Sequence, residues 1–67
     1  MNKFSSRLKE LRIERQLSQI ELADLLSTGQ SSISAWERGE REPLAHQLVD
    51  LANALECSVD YLLGLKD

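Results

Sequence analysis

Two short helical stripes lie on either side of Ser27-Thr28-Gly29, and this break constrains the chain more than any other feature. Ser18 followed three residues later by Glu21 has the form of a capping box, in which the serine hydroxyl accepts from the N3 amide and the glutamate reaches back. A helix is expected to start there, to carry Leu22, Ala23, Leu25 and Leu26, and to end near Ser27, Thr28 and Gly29, residue types that favour turns and caps. From Gln30 onward, Ile33 and Trp36 stand three residues apart, so one apolar edge faces inward and Ser31, Ser34 and Ala35 are expected on the opposite side. Two helices locked at a steep angle by so short a turn need a small residue at their closest approach, and Ala23 fits.

The remaining chain reads as helix throughout. Phe4, Leu8 and Leu11 follow one stripe and predict a first helix over residues 5–15. The charged run Arg38 to Glu42, with Gly39 inside it, reads as a loop, and Pro43 suits the first turn of the next helix. Leu44, Leu48, Leu51, Ala52 and Leu55 form the densest stripe, a fourth helix. Ser58 can cap a last short helix containing Val59, Leu62 and Leu63, with Gly64 at its C-terminal end. Nothing alternates as a strand would. The expectation is an all-α, compact five-helix bundle occupying residues 1–67 as a single domain, its core including Trp36.

With 67 residues, 42% of them hydrophobic and 28% charged, the chain has room for one modest core and is too apolar to be disordered. One cysteine, Cys57, and one histidine, His46, cannot supply a structural zinc site or an internal disulfide. They fall on different elements with no orienting partner, so no enzyme, cofactor or metal is expected. Cys57 is expected in the small core, a redox switch across a dimer interface being the alternative, and His46 on a solvated side. No apolar run approaches the roughly 20 residues that span a bilayer. Met1 to Ser6 runs into charged residues instead of a signal-peptide core, so a cytoplasmic location is expected.

The net charge of −3 is unfavourable for a nucleic-acid binder, which usually carries a basic footprint. The charge is polarised, however. Residues 1–15 hold Lys3, Arg7, Lys9, Arg12 and Arg15 against Glu10 and Glu14, a balance of +3, whereas residues 46–67 hold Lys66 against Asp50, Glu56, Asp60 and Asp67, a balance of −3. Either one basic face meets DNA while the acidic end points away, or the charges are an ordinary solvated mixture.

Leu17-Ser18-Gln19, Glu21-Leu22-Ala23, Ile33-Ser34, Trp36-Glu37 and Gly39 together resemble the Cro/C1-type (XRE-like) helix-turn-helix family of phage repressors and bacterial transcriptional regulators. The resemblance continues through Arg41-Glu42-Pro43, Leu51-Ala52, Ala54-Leu55 and Ser58 to Gly64, and so covers nearly the whole chain. It implies the lambda-repressor-like fold, with the helix-turn-helix in helices 2 and 3, and a repressor that binds a palindromic double-stranded DNA operator as a homodimer. The family usually has glycine where Ser27 stands and serine or threonine where Gly29 stands, so those types are exchanged here. A left-handed serine is strained by roughly 1 kcal/mol, and a glycine N-cap loses only about a few tenths relative to serine, so the turn is expected to survive. Leu44 replaces the usual cap after Pro43, and Glu56 replaces a common glycine.

By this resemblance Gln19 touches a phosphate and braces Gln30, which reads adenine. A glutamine amide offers a donor and an acceptor that match adenine N7 and N6, the alternative being two solvated glutamines. Ser31 and Ser34 can meet almost any base edge, and Ala35 only a thymine methyl. A reading face without arginine or lysine predicts weak direct readout of guanine and a larger part for water and DNA shape. Phosphate contacts are expected from Ser18 with its helix N-terminal amides, from Arg12, and from Arg38 and Arg41. The resemblance also implies a partly buried Arg12–Glu37 ion pair, the alternative being an exposed pair of little weight. Val59, Tyr61 and Leu65 either form a dimer interface, as the resemblance implies, or close the core. A regulatory protein such as an antirepressor is a further expected partner. The rival reading is a protein-interaction module of the same fold, such as the antitoxin of a toxin–antitoxin pair.

Overall fold

In the computed structural model, which describes residues 3–67, the chain forms α1 (Phe4–Glu14), α2 (Gln19–Leu25), α3 (Gln30–Glu37), α4 (Ala45–Leu55) and α5 (Val59–Leu63), with no strand among the described residues. None of these helices is long and apolar enough to cross a membrane. Met1 and Asn2, part of the sequence used against a signal peptide, lie outside the described residues. Helix α3 packs against both α1 and α2, while α5 packs against α1 and α4. One core results, built from Phe4, Leu8, Leu11, Leu22, Ala23, Ile33, Trp36, Leu51, Leu55 and Leu62. Ala23 is buried at the α2–α3 crossing as its size suggests.

Among the described residues all five helices end alike. One residue past the last turn adopts a left-handed backbone: Gln16, Ser27, Gly39, Glu56 and Gly64, with φ between 54° and 81°. Each end is closed by two reverse bonds of the Schellman type, such as Thr28 N–H to the Ala23 carbonyl at 2.9 Å and Ser27 N–H to the Asp24 carbonyl at 3.2 Å. The motif satisfies carbonyls that would otherwise be orphaned at the helix end. Ser27 therefore does occupy the strained position, and Gly29 is the N-cap of α3 with an extended backbone.

Two local expectations are corrected. Pro43 is buried one residue before the N-cap of α4 instead of inside its first turn. Leu44 is that N-cap, and with 63% of its surface exposed it lies outside the α4 stripe. It has no side-chain acceptor, so only half a capping box forms, with the Leu44 N–H donating to Gln47 Oε1 at 2.8 Å.

The left-handed ends make an opposed pair of predictions. Ser27→Gly relieves Cβ strain and should raise stability by about 0.5–1 kcal/mol. Gly64→Ala should lower stability, because φ is +81° and an added Cβ would lie 2.8 Å from the Lys3 Cβ. Thermal melts should move up by several degrees and down, respectively; equal melting temperatures would contradict the strain argument.

Candidate nucleic-acid interface

Helix α2 begins at a complete capping box, with Ser18 Oγ accepting from the Glu21 N–H at 3.0 Å and Glu21 Oε1 accepting from the Ser18 N–H at 2.8 Å. That start places Gln19 on the first turn of α2, facing the C-terminal end of α3. Gln19 Nε2 donates to Glu37 Oε1 at 3.1 Å, and Gln30 Nε2 at the start of α3 donates to Gln19 Oε1 at 3.0 Å. The bracing of Gln30 by Gln19 is thus present in the geometry.

Glu37 also accepts a two-pronged contact from Arg12, Nε to Oε2 at 2.5 Å and Nη2 to Oε1 at 3.1 Å, while Arg12 Nη1 donates to the Leu17 carbonyl at 2.9 Å. The side chains are 12% and 4% exposed, so the structure brings together a largely buried, bidentate pair. The hydrogen bond to Glu37 raises the Arg12 pKa above its ordinary value. Three of the five Arg12 N–H groups thus donate internally and the side chain is 12% exposed, which leaves two N–H groups and little surface for the phosphate role expected of it.

The reading face is narrower than the sequence suggests. Ala35, expected outward, is only 5% exposed, because α3 is covered by α1 as well as α2 and buries Ala35 along with Ile33 and Trp36. Ser34 is half-buried and its hydroxyl accepts from the Arg38 guanidinium. Gln30 and Ser31 remain exposed. Arg38 also pairs with Glu40, Nε to Oε2 at 2.8 Å, which raises the arginine pKa and lowers that of the carboxylate. Arg41 is exposed, with no such pair among the described residues.

The basic N-terminal segment does not form a free positive face. Arg7 donates to the Tyr61 and Lys66 carbonyls, lies 4.1 Å above the Tyr61 ring and approaches Asp67 at 3.7 Å. Arg15 donates to the Leu55 carbonyl at 3.0 Å and approaches Glu56 at 3.8 Å. Together with Arg12, these residues direct the α1 arginines inward, where two of them meet the acidic C-terminal half. Tyr61 packs half-buried against the core beneath Arg7, Val59 is half-buried, and Leu65 is 75% exposed. Of the two readings of Tyr61, its position matches closure of the core. Cys57 packs partly against the core, where burial pushes its thiol pKa up, and His46 is exposed.

Removing one partner of a buried pair strands the other charge, so Glu37→Ala should cost about 3 kcal/mol in urea melts. The double change Arg12→Met with Glu37→Leu should cost less than that single change, and a larger loss would contradict the picture. Bonds from Ser18 hold the Glu21 carboxyl below its ordinary range, so the unfolded chain binds more protons as the group titrates. The stability from this box is present above about pH 4.3, the ordinary glutamate value, and is lost as pH falls through the lower folded value. The melting difference between the wild type and Glu21→Gln should therefore shrink toward pH 3; a constant difference would contradict the linkage.

The helix-turn-helix family model HTH_3 matches residues 8–62, which include the whole of α2, α3 and α4. The chain is 40% identical over 60 residues to YqaE, an uncharacterized HTH-type transcriptional regulator of Bacillus subtilis, across 90% of this chain and 52% of that one. It is 39% identical over 60 residues to Repressor protein C2 of Salmonella phage P22, across 90% of this chain and 28% of that one. It spans about half or less of the length of these relatives. A crystal structure of the P22 c2 repressor with synthetic operator 9T superposes with a TM-score of 0.85 at 36% identity, covering 88% of this chain and 89% of that one. The SinR protein/SinI protein complex gives 0.84 at 29% identity, covering 96% and 67%. The family match spans both helices and the turn between them, the superpositions cover 88% or more of the chain, and the chain belongs to the helix-turn-helix family.

Proposed function

We propose that this chain is the sequence-specific double-stranded DNA-binding unit of a transcriptional repressor, binding a palindromic operator as a homodimer with α3 in the major groove. The observation that supports this most is Gln30, exposed at the start of α3 and held by Gln19 with its carboxamide free to meet a base edge. Ser31 is the second exposed residue of that turn. Ser34 and Ala35 drop from direct readout, which leaves DNA shape and water a larger share. Ser18, Gln19, Arg38 and Arg41 set register on the phosphates. The complex of the P22 relative with a synthetic operator supports DNA binding, and the SinR–SinI complex supports regulation by a protein partner. Val59 and Leu65 lie on and just after α5, where a two-fold contact would set half-sites about one turn, ~34 Å, apart.

The proposal predicts a specificity ratio of about 10³ or more between operator-like and random duplexes in titrations across salt. With Arg38 and Arg41 as the main phosphate cations of each protomer, the slope of log K against log salt should be roughly −4 for a dimer. Gln30→Ala should weaken binding at a single A·T pair per half-site by about tenfold, leaving other positions unchanged. Equal affinity for every duplex would overturn the proposal in favour of a protein-interaction module of the same fold.

A further inference from the structure

We infer that Glu37, a residue inside the fold, sets the base preference of Gln30 by dictating which end of each carboxamide faces outward, with Gln19 as the intermediary. The inference rests on the proposed reading role of Gln30. Both Glu37 oxygens accept from the Arg12 guanidinium, and a carboxylate has only acceptors, so the amide that meets it must present its nitrogen. Gln19 does so, Nε2 to Glu37 Oε1 at 3.1 Å, and its oxygen is therefore turned toward α3. Gln30 answers with a nitrogen, Nε2 to Gln19 Oε1 at 3.0 Å. One N–H is spent on that bond, and the other remains on the outer edge beside Oε1.

A donor next to an acceptor is complementary to adenine, which shows N7 and an N6 amino group in the major groove. Guanine shows two acceptors, N7 and O6, and would set O6 against the glutamine oxygen. A free glutamine turns its amide end for end at little cost, and with the amino group outward both of its N–H groups can point at guanine N7 and O6. The relay removes that choice: one carboxylate orients two amides in series, and its own position is locked by the arginine behind it. Glu37 and Gln19 are thus positioning residues for specificity, and neither needs to touch the base.

The test alters the polarity of the relay without touching Gln30. Gln19→Lys offers only donors, so it still satisfies Glu37 but obliges Gln30 to turn its oxygen inward and its amino group outward. Gln19→Leu breaks the relay and leaves the Arg12–Glu37 pair intact. Affinities are measured for matched duplexes carrying A·T or G·C at the pair that Gln30→Ala flattens, with melting curves confirming that each variant folds. The lysine charge raises affinity for both duplexes, so their ratio is the readout. The inference predicts an A-over-G ratio of about tenfold in the wild type, a ratio near one for Gln19→Leu, and a reversed ratio for Gln19→Lys. Glu37→Gln, which can donate or accept, should also lower the ratio. Unchanged ratios in both Gln19 variants, with the pair still flattened by Gln30→Ala, would overturn the relay and leave the reading role standing. If Gln30→Ala flattens no pair, both fall together.

Discussion

The Arg12–Glu37 pair, with the Gln19 amide that meets it, links three of the five helices. It ties α1 to α3, and through the Leu17 carbonyl and Gln19 it also fixes the entry to α2 and that helix's angle to α3. Burying two charges is costly, and well-packed apolar residues can often replace such a pair without loss of stability. What apolar residues cannot supply is direction. A bidentate guanidinium–carboxylate contact holds both planes in register, and an acceptor-only carboxylate passes that order to the two glutamines beyond it.

The short helices around this pair depend on their ends. Helices of 5 to 11 residues would not persist alone, so tertiary packing and end closure must hold them. Each terminates at a left-handed residue, three of which are not glycine, so the fold retains backbone strain at Gln16, Ser27 and Glu56. The charge distribution follows the same economy. Arg7 and Arg15 bind carbonyls at the C-terminal ends of α5 and α4, where the helix dipole is negative, and each approaches an acidic side chain. Four of the eight cations, Arg7, Arg12, Arg15 and Arg38, are thus engaged in contacts within the fold.

Most of the fold was legible because its signals are local. The Ser18–Glu21 box, the Ser27-Thr28-Gly29 break, the inward Ile33–Trp36 edge and Gly64 are each read from residues a few positions apart, and each stands where expected. Errors arose where a second neighbour decides. Ala35 looks outward on a helix packed on one side, but α3 is packed on two. Arg12 could be assigned to phosphate or to Glu37 from charge alone, and only distances separate the roles. The partners of Arg7 and Arg15 lie 40 to 60 residues away, and no spacing rule points to them. Gln19 and Gln30 were placed together by resemblance, whereas the link from Gln19 to Glu37 needed coordinates.

Whether α3 reads an operator through Gln30 is decided by selecting bound duplexes from a random pool with the wild type and with Gln30→Ala. The wild type should select a two-fold symmetric consensus with half-sites about one helical turn apart, and the variant should lose information at one A·T position in each half. Failure to enrich any sequence, or a loss spread evenly over the site, would contradict a reading role for Gln30.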